Sequence, residues 1–142
     1  CMWLDERGCI MSGERNLARL LAEMTPVLDP VPYIFATVPH EYQTTVPPLM
    51  RFQEVEGDTL ILSQREAEQE GLSGAVFQRI TLSVHSALEA VGLTAAFSAC
   101  LTDHGISANV VAGYYHDHIF VPQTDADRAL LALRALSQYS KP

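Results

Sequence analysis

SALEAVGLTAAFSACLTDHGISANVVAGYYHDHIFVP, residues 86–122, changes its hydrophobic period midway, and that change sets the order of elements. Leu93, Ala96, Phe97, Cys100 and Leu101 recur at helical spacing and form one apolar stripe. His104-Gly105 supplies a helix stop, because glycine reaches the left-handed conformation that ends a helix without a Cβ clash. Beyond it, two stretches rich in β-branched and aromatic residues, 106–112 and 116–121, predict strands around a turn at Gly113-Tyr114.

Working outward, Ile80, Leu82 and Val84 alternate with Arg79, Thr81 and Ser83, which predicts a strand with one buried face just upstream. Downstream, Thr124-Asp125-Ala126-Asp127 reads as the cap of a last helix that turns Ala126, Leu130 and Leu133 inward. This half therefore reads strand-helix-strand-strand-helix. The preceding half opens with Leu17, Leu20, Leu21 and Met24 on one helical face, with Ser12 as its cap and Pro26 as its stop. Residues 33–38 predict a strand between Pro32 and Pro39, and residues 40–48 a surface loop. MRFQEVE and TLILS predict a hairpin around Gly57-Asp58. Ser63-Gln64-Arg65-Glu66 predicts a capping box opening a short helix that Gly71 closes. Each half resembles most of a ferredoxin-like split βαβ unit, the strand over 77–84 serving either count. Residues 72–75, with Ser73-Gly74, form the expected boundary between an N-terminal unit (12–74) and a C-terminal unit (75–142). Residues 1–11 read as a tag or an extension.

Bulk properties narrow the function. The chain has 142 residues, 48% of them hydrophobic and 18% charged, which is a globular composition. Nine basic residues against seventeen acidic ones give a net charge of −8, which argues against nucleic acid and anionic membrane partners. No apolar run reaches the roughly 20 residues of a membrane-spanning helix. Cys1, Cys9 and Cys100 show no metal spacing and no disulfide framework, so the cytoplasm is the expected compartment.

Three groups of residues bear on chemistry. His116 and His118 are a His-x-His pair that a strand would turn to the face opposite Asp117. Such a pair can bind zinc, but a catalytic zinc needs a third protein ligand, and His40, His85 and His104 stand at no telling spacing. This leaves a metal-dependent hydrolase or isomerase using His116 and His118 as the alternative reading. Ser86 lacks a nucleophile-elbow context, since Ser86-Ala87-Leu88-Glu89 is helix-start chemistry. Val91-Gly92-Leu93-Thr94 joins a strand to a helix, where glycine permits close backbone approach and free N–H groups favour a carboxylate or phosphate. Dinucleotide and phosphate loops are absent, so no cofactor is implied.

The 86–122 stretch also resembles a family of small bacterial ACT-domain proteins, through the glycine-led helix, the Gly105-Ile106-Ser107 link, the strand with Asn109 and the Tyr-Tyr-His-Asp-His run. More distantly it is similar to ACT units of aspartate kinase regulatory domains and of arginine-sensing proteins. LARLLAEMTPVLDP, YIFATV and EVEGDTLIL extend the resemblance over most of residues 12–138. One departure is Pro30-Val31-Pro32, where the family carries a glycine or another small residue before the strand. The resemblance implies an α+β, ferredoxin-like fold of two tandem ACT-like units with antiparallel sheets and helices on one face. It also implies a non-catalytic regulatory protein, a homodimer, with a small-molecule ligand, an amino acid. The implied contacts are Gly92, Leu93 and Thr94 at the helix start, Asn109 and Val110 on the strand, and Asp117 beside the ligand's ammonium. A folded adaptor that binds only protein is the remaining possibility.

Overall fold

A computed structural model describes residues 17–83 and 92–141. Helix α1 covers residues 17–23 of the described chain, followed by β1 (Pro26–Val38), β2 (Met50–Gln53), β3 (Asp58–Ser63) and α2 (Gln64–Gln69). Then come β4 (Val76–Leu82), α3 (Leu93–Asp103), β5 (Asn109–Ala112), β6 (Asp117–Pro122), one 3-10 turn (Gln123–Asp125) and α4 (Ala126–Tyr139). The six strands form one sheet in the order β2-β3-β1-β4-β6-β5, each neighbouring pair antiparallel. The result is the expected α+β, ferredoxin-like architecture.

Strand alternation sorts the side chains into two faces. Leu28, Ile80, Leu82, Val110, Ile119 and Val121 pack under α1, α3 and α4, together with Leu21, Met24, Phe97, Leu101 and Leu133. Ile34, Val38, Leu60, Leu62 and Val76 continue this face under Ala67 of α2. Tyr33, Phe35, Ile61, Phe77, Val111 and Phe120 occupy the other face, where Phe35 meets Phe77 and Phe120 edge-on. All helices that contribute to these clusters lie on one side.

β1 is longer than the sequence suggests. Its first residues, Pro26–Leu28, pair with Leu82–Ile80 of β4, and its later ones pair with both β3 and β4. Pro26 stops the helix as expected but also begins the strand, a position where a missing N–H costs little. The register shifts between Leu28 and Pro32, so the Pro30-Val31-Pro32 departure coincides with a bulge. Asp29 holds that bulge. Its carboxylate accepts from Val31 N (2.9 Å), the Tyr33 hydroxyl (2.8 Å) and Arg79 Nη2 (3.0 Å). Burial raises the Asp29 carboxyl, but these donors outweigh it and hold it below its usual value. The Tyr33 phenol is pushed up to about 12 by burial and by its bond to Asp29.

Other boundaries move by a few residues. β2 ends at Gln53, because Glu54 N–H bonds to Gly57 O (2.9 Å) and starts the turn earlier. β5 begins only at Asn109, because Ile106 N–H is spent on Leu101 O (2.9 Å), closing α3 around left-handed Gly105. β6 begins at Asp117, leaving His116 in the turn where it accepts from Gly113 N (2.9 Å). Ser63 caps α2 as expected, accepting from Glu66 N at 3.1 Å. The expected cap of α4 does not form: the Asp125 carboxylate accepts from Arg128 Nη2 at 3.0 Å instead. Ser12, Val84, His85, Ser86 and Val91 fall outside the described residues.

The pairing also shows a repeat that residue identities hide. Val38 opposes Asp58 as Leu82 opposes Asp117, and Tyr33 opposes Ser63 as Phe77 opposes Pro122. On the outer side, Gln53 opposes Asp58 as Ala112 opposes Asp117, and Arg51 opposes Leu60 as Val110 opposes Ile119. β1-β2-β3 and β4-β5-β6 are therefore register-equivalent. The stretch between β1 and β2 carries no helix, whereas α3 fills the corresponding link between β4 and β5.

Candidate ligand site

Gly92 is the N-cap of α3, with φ 93°, a left-handed conformation that disfavours residues carrying a Cβ. Glycine has no side chain to cap the helix, and among the described residues no side chain accepts from its first-turn N–H groups. Leu93 is buried in the apolar cluster beneath the helices, and Thr94 is exposed beside it. α1 reaches this point: a Cβ built on Gly92 would lie 3.2 Å from Leu17 Cδ2. Leu93 shares its cluster with Leu82, and the residue paired across the sheet from Leu82 is Asp117. Asp117 is half-buried, on the helix-covered face of its strand, and accepts no hydrogen bond or ion pair from another described residue.

The two strand residues behave differently. Val110 packs against the helix-face cluster, so only its backbone remains for a ligand. Asn109 is exposed on the opposite face, in register with Phe120, and its Nδ2 donates to Phe120 O at 3.4 Å. β5 runs from Asn109 to Ala112, and Ala112 is the residue that pairs with Asp117. Asn109 therefore lies at the other end of the strand from Asp117 and on the other face.

His118 lies on the open face. Its Nδ1 is 2.9 Å from Thr81 Oγ1, and burial, then the nearby Arg79 and His116 charges, push its pKa down. The Arg79 guanidinium stands over the Tyr33 ring, 5.7 Å from its centroid. Its Nε has no acceptor among the described residues. No group of three or more His, Cys, Asp or Glu side chains among the described residues is arranged to hold a metal ion. Cys100 is half-buried against the helical cluster, its thiol pushed up by burial.

Two acidic anchors lay beyond sequence reasoning. Asp58 accepts from Arg51 Nε (2.6 Å) and faces His40 Nδ1 (2.7 Å). Arg51 Nη2 also donates to His40 O (3.0 Å), while His40 Nε2 faces Val55 O (3.3 Å). His40 holds the Asp58 carboxyl down, with Arg51, and the bond to Asp58 in turn raises the imidazole. Glu70 accepts from the Tyr42 hydroxyl (2.5 Å) and from Thr45 N (2.6 Å) and Oγ1 (2.8 Å), which hold its carboxyl down. These pairs join residues 7 to 28 apart, so no local motif announces them.

Two ACT-domain family models match the chain, over residues 12–79 and 78–135. A crystal structure of a Vibrio cholerae protein of unknown function, described as a possible transport protein, is 48% identical with a TM-score of 0.78. The match covers 89% of this chain and 99% of that one. The ligand-free regulatory subunit of aspartate kinase from Thermus thermophilus is 11% identical, with a TM-score of 0.60, over 80% of this chain and 97% of that one. An Agrobacterium tumefaciens protein is 13% identical, with a TM-score of 0.65, over 81% and 90%. No curated protein sequence matches.

Proposed function

The chain belongs to the ACT-domain family, and from that premise we propose that it is a non-catalytic regulatory protein that binds a free amino acid. ACT domains are generally regulatory and bind small molecules such as amino acids. The observation that carries the reading is the start of α3: left-handed Gly92 followed by a first turn that no described side chain caps. Leu93 and Thr94 N–H groups bind the α-carboxylate there, with the helix dipole favouring the negative charge. Asp117 meets the α-ammonium, since its carboxylate is free of any other described partner. Val110 contributes backbone carbonyl only.

Asn109 cannot join the same ligand from the same chain, because it faces the other side of the sheet at the far end of β5. The site is therefore completed in a homodimer, where Asn109 of one copy reaches the ligand of the other. The division into units at residues 12–74 and 75–142 assigns the ligand to the second unit. No cofactor takes part, the setting is the bacterial cytoplasm, and the regulated protein is a separate partner. No helix among the described residues is long and apolar enough to cross a membrane.

A thermal-shift panel of the proteinogenic amino acids tests this, because a ligand that binds only the native state must raise Tm by mass action. The expected result is stabilisation by one amino acid or a few related ones, lost in Asp117→Asn. A flat panel at millimolar concentration refutes amino-acid binding and leaves the protein-only adaptor. Stoichiometric zinc, lost in His118→Ala, would establish the metal-dependent alternative instead.

A further inference from the structure

The register repeat places two aspartates in equivalent positions, and their surroundings differ. Asp58 and Asp117 each begin the third strand of their unit, on the helix-covered face, opposite Val38 and Leu82 on one side and Gln53 and Ala112 on the other. Asp117 is half-buried and without a described partner. Asp58 is buried, its side chain only 8% exposed, and both of its oxygens are occupied. Arg51 takes one and His40 the other, while Arg51 also bonds the His40 carbonyl. The position equivalent to Arg51 in the second unit is Val110, which has no charge to offer. A buried carboxylate needs a cation or several donors, since leaving it unpaired costs more than the burial returns. The first unit meets that need with its own side chains; in the second, no described side chain does so.

We infer that Arg51 and His40 are an internal stand-in for a cationic ligand, so that the N-terminal unit's site is closed and each chain takes one amine-bearing ligand, at Asp117. The inference rests on the amino-acid reading for Asp117 alone; the closed state of Asp58 stands on its own geometry. It also gives the absent helix between β1 and β2 a consequence. Without a helix start there, no row of N–H groups awaits a carboxylate, and the link instead delivers His40 to Asp58. The first unit keeps the aspartate and replaces the ligand.

Removing the plug and supplying its chemistry in solution tests this. Arg51→Ala opens the space beside Asp58, and ethylguanidinium is the probe. The variant should gain roughly 3–6 °C in Tm when the probe is at tenfold excess over its Kd. Wild type should gain less than a third of that, and Arg51→Ala/Asp58→Asn should gain nothing beyond wild type. Arg51→Gln, which keeps most of the side-chain stem, serves as the same test if Arg51→Ala does not fold. Equal responses of wild type and variant, or none in either, overturn the stand-in. Calorimetry on wild type reads the other half: one stabilising amino acid per chain is expected, and two per chain would show the first site to be open. A flat amino-acid panel with intact ethylguanidinium rescue would refute the ligand at Asp117 and leave the plug standing.

Discussion

Replacing Met24 by alanine asks whether the link from α1 to β1 belongs to the core built by the chain's second half. Met24 is 2% exposed and packs in one cluster with Leu82, Phe97, Ile119 and Leu133. The Ser137 hydroxyl donates to its carbonyl at 2.9 Å, and that bond survives the substitution because it uses only the backbone. The loss is therefore the removed side chain plus the cavity it leaves, about 2–5 kcal/mol for a buried methionine. We take about 3 kcal/mol, since methionine's neighbours can relax around an unbranched gap. For a domain of this size each kcal/mol moves Tm by roughly 2–4 °C, so Tm should fall by about 6–12 °C. Urea denaturation followed by circular dichroism, with calorimetry, measures both numbers. Glu23→Ala, one residue away and exposed, should stay within about 0.5 kcal/mol of wild type. Unfolding should remain a single transition, because β1 hydrogen-bonds to both β3 and β4. A loss under about 1 kcal/mol, or two separated transitions of which one alone shifts, would refute the shared core.

Gly92→Ala should cost about 1–2 kcal/mol through its left-handed backbone, and Leu17→Ala in the same chain should recover less than about 0.5 kcal/mol. The small recovery follows because the 3.2 Å contact is with the flexible end of Leu17; a full recovery would place the strain in the side chain. His40 and His118 should tilt the pH profile of stability in opposite senses. The His40 pKa is raised above 6.5, so its contribution is complete below that value and is lost as pH rises through the folded pKa. The His118 pKa is lowered, so stability is lost as pH falls from 6.5 through the folded pKa. Relative to wild type, His40→Gln should lose its deficit as pH rises and His118→Gln as pH falls, read as urea midpoints across the range. Parallel profiles would refute both assignments.

What could be read in the sequence followed from local periodicity. The stripe from Leu93 to Leu101 and the alternation through Ile80 and Leu82 are carried by neighbouring residues, and the structure buries Leu93, Phe97, Leu101, Ile80 and Leu82 and half-buries Ala96 and Cys100. Ser63 as a cap and Gly105 as a stop are equally local. The extension of β1 back to Pro26 was hidden, because three prolines within seven residues argue against a strand until a bulge held by Asp29 accommodates them. The candidate site was legible in part for the same reason. Gly92 declares a helix start by its place in the pattern, but nothing near Asn109 says that it faces away from Asp117. That depends on where β5 begins, and β5 begins late because Ile106 is claimed by the end of α3.

Strand sharing gives the divergence of the two units a physical limit. β4 pairs through Val76–Gln78 with the later part of β1 and through Ile80–Leu82 with its beginning, so each central strand serves both units. Neither unit can slip its register without moving the other's core residues to the wrong face. Asp58 and Asp117 are thereby held at equivalent register positions on the same face even though nothing else requires them to stay alike. What is free to change is the outer strand, because β2 and β5 each pair on one side only. There the equivalent positions hold Arg51 and Val110, a charge that satisfies its aspartate and a methyl pair that does not. A fixed central frame with variable edges can keep two copies of one site geometry and give only one of them to a ligand.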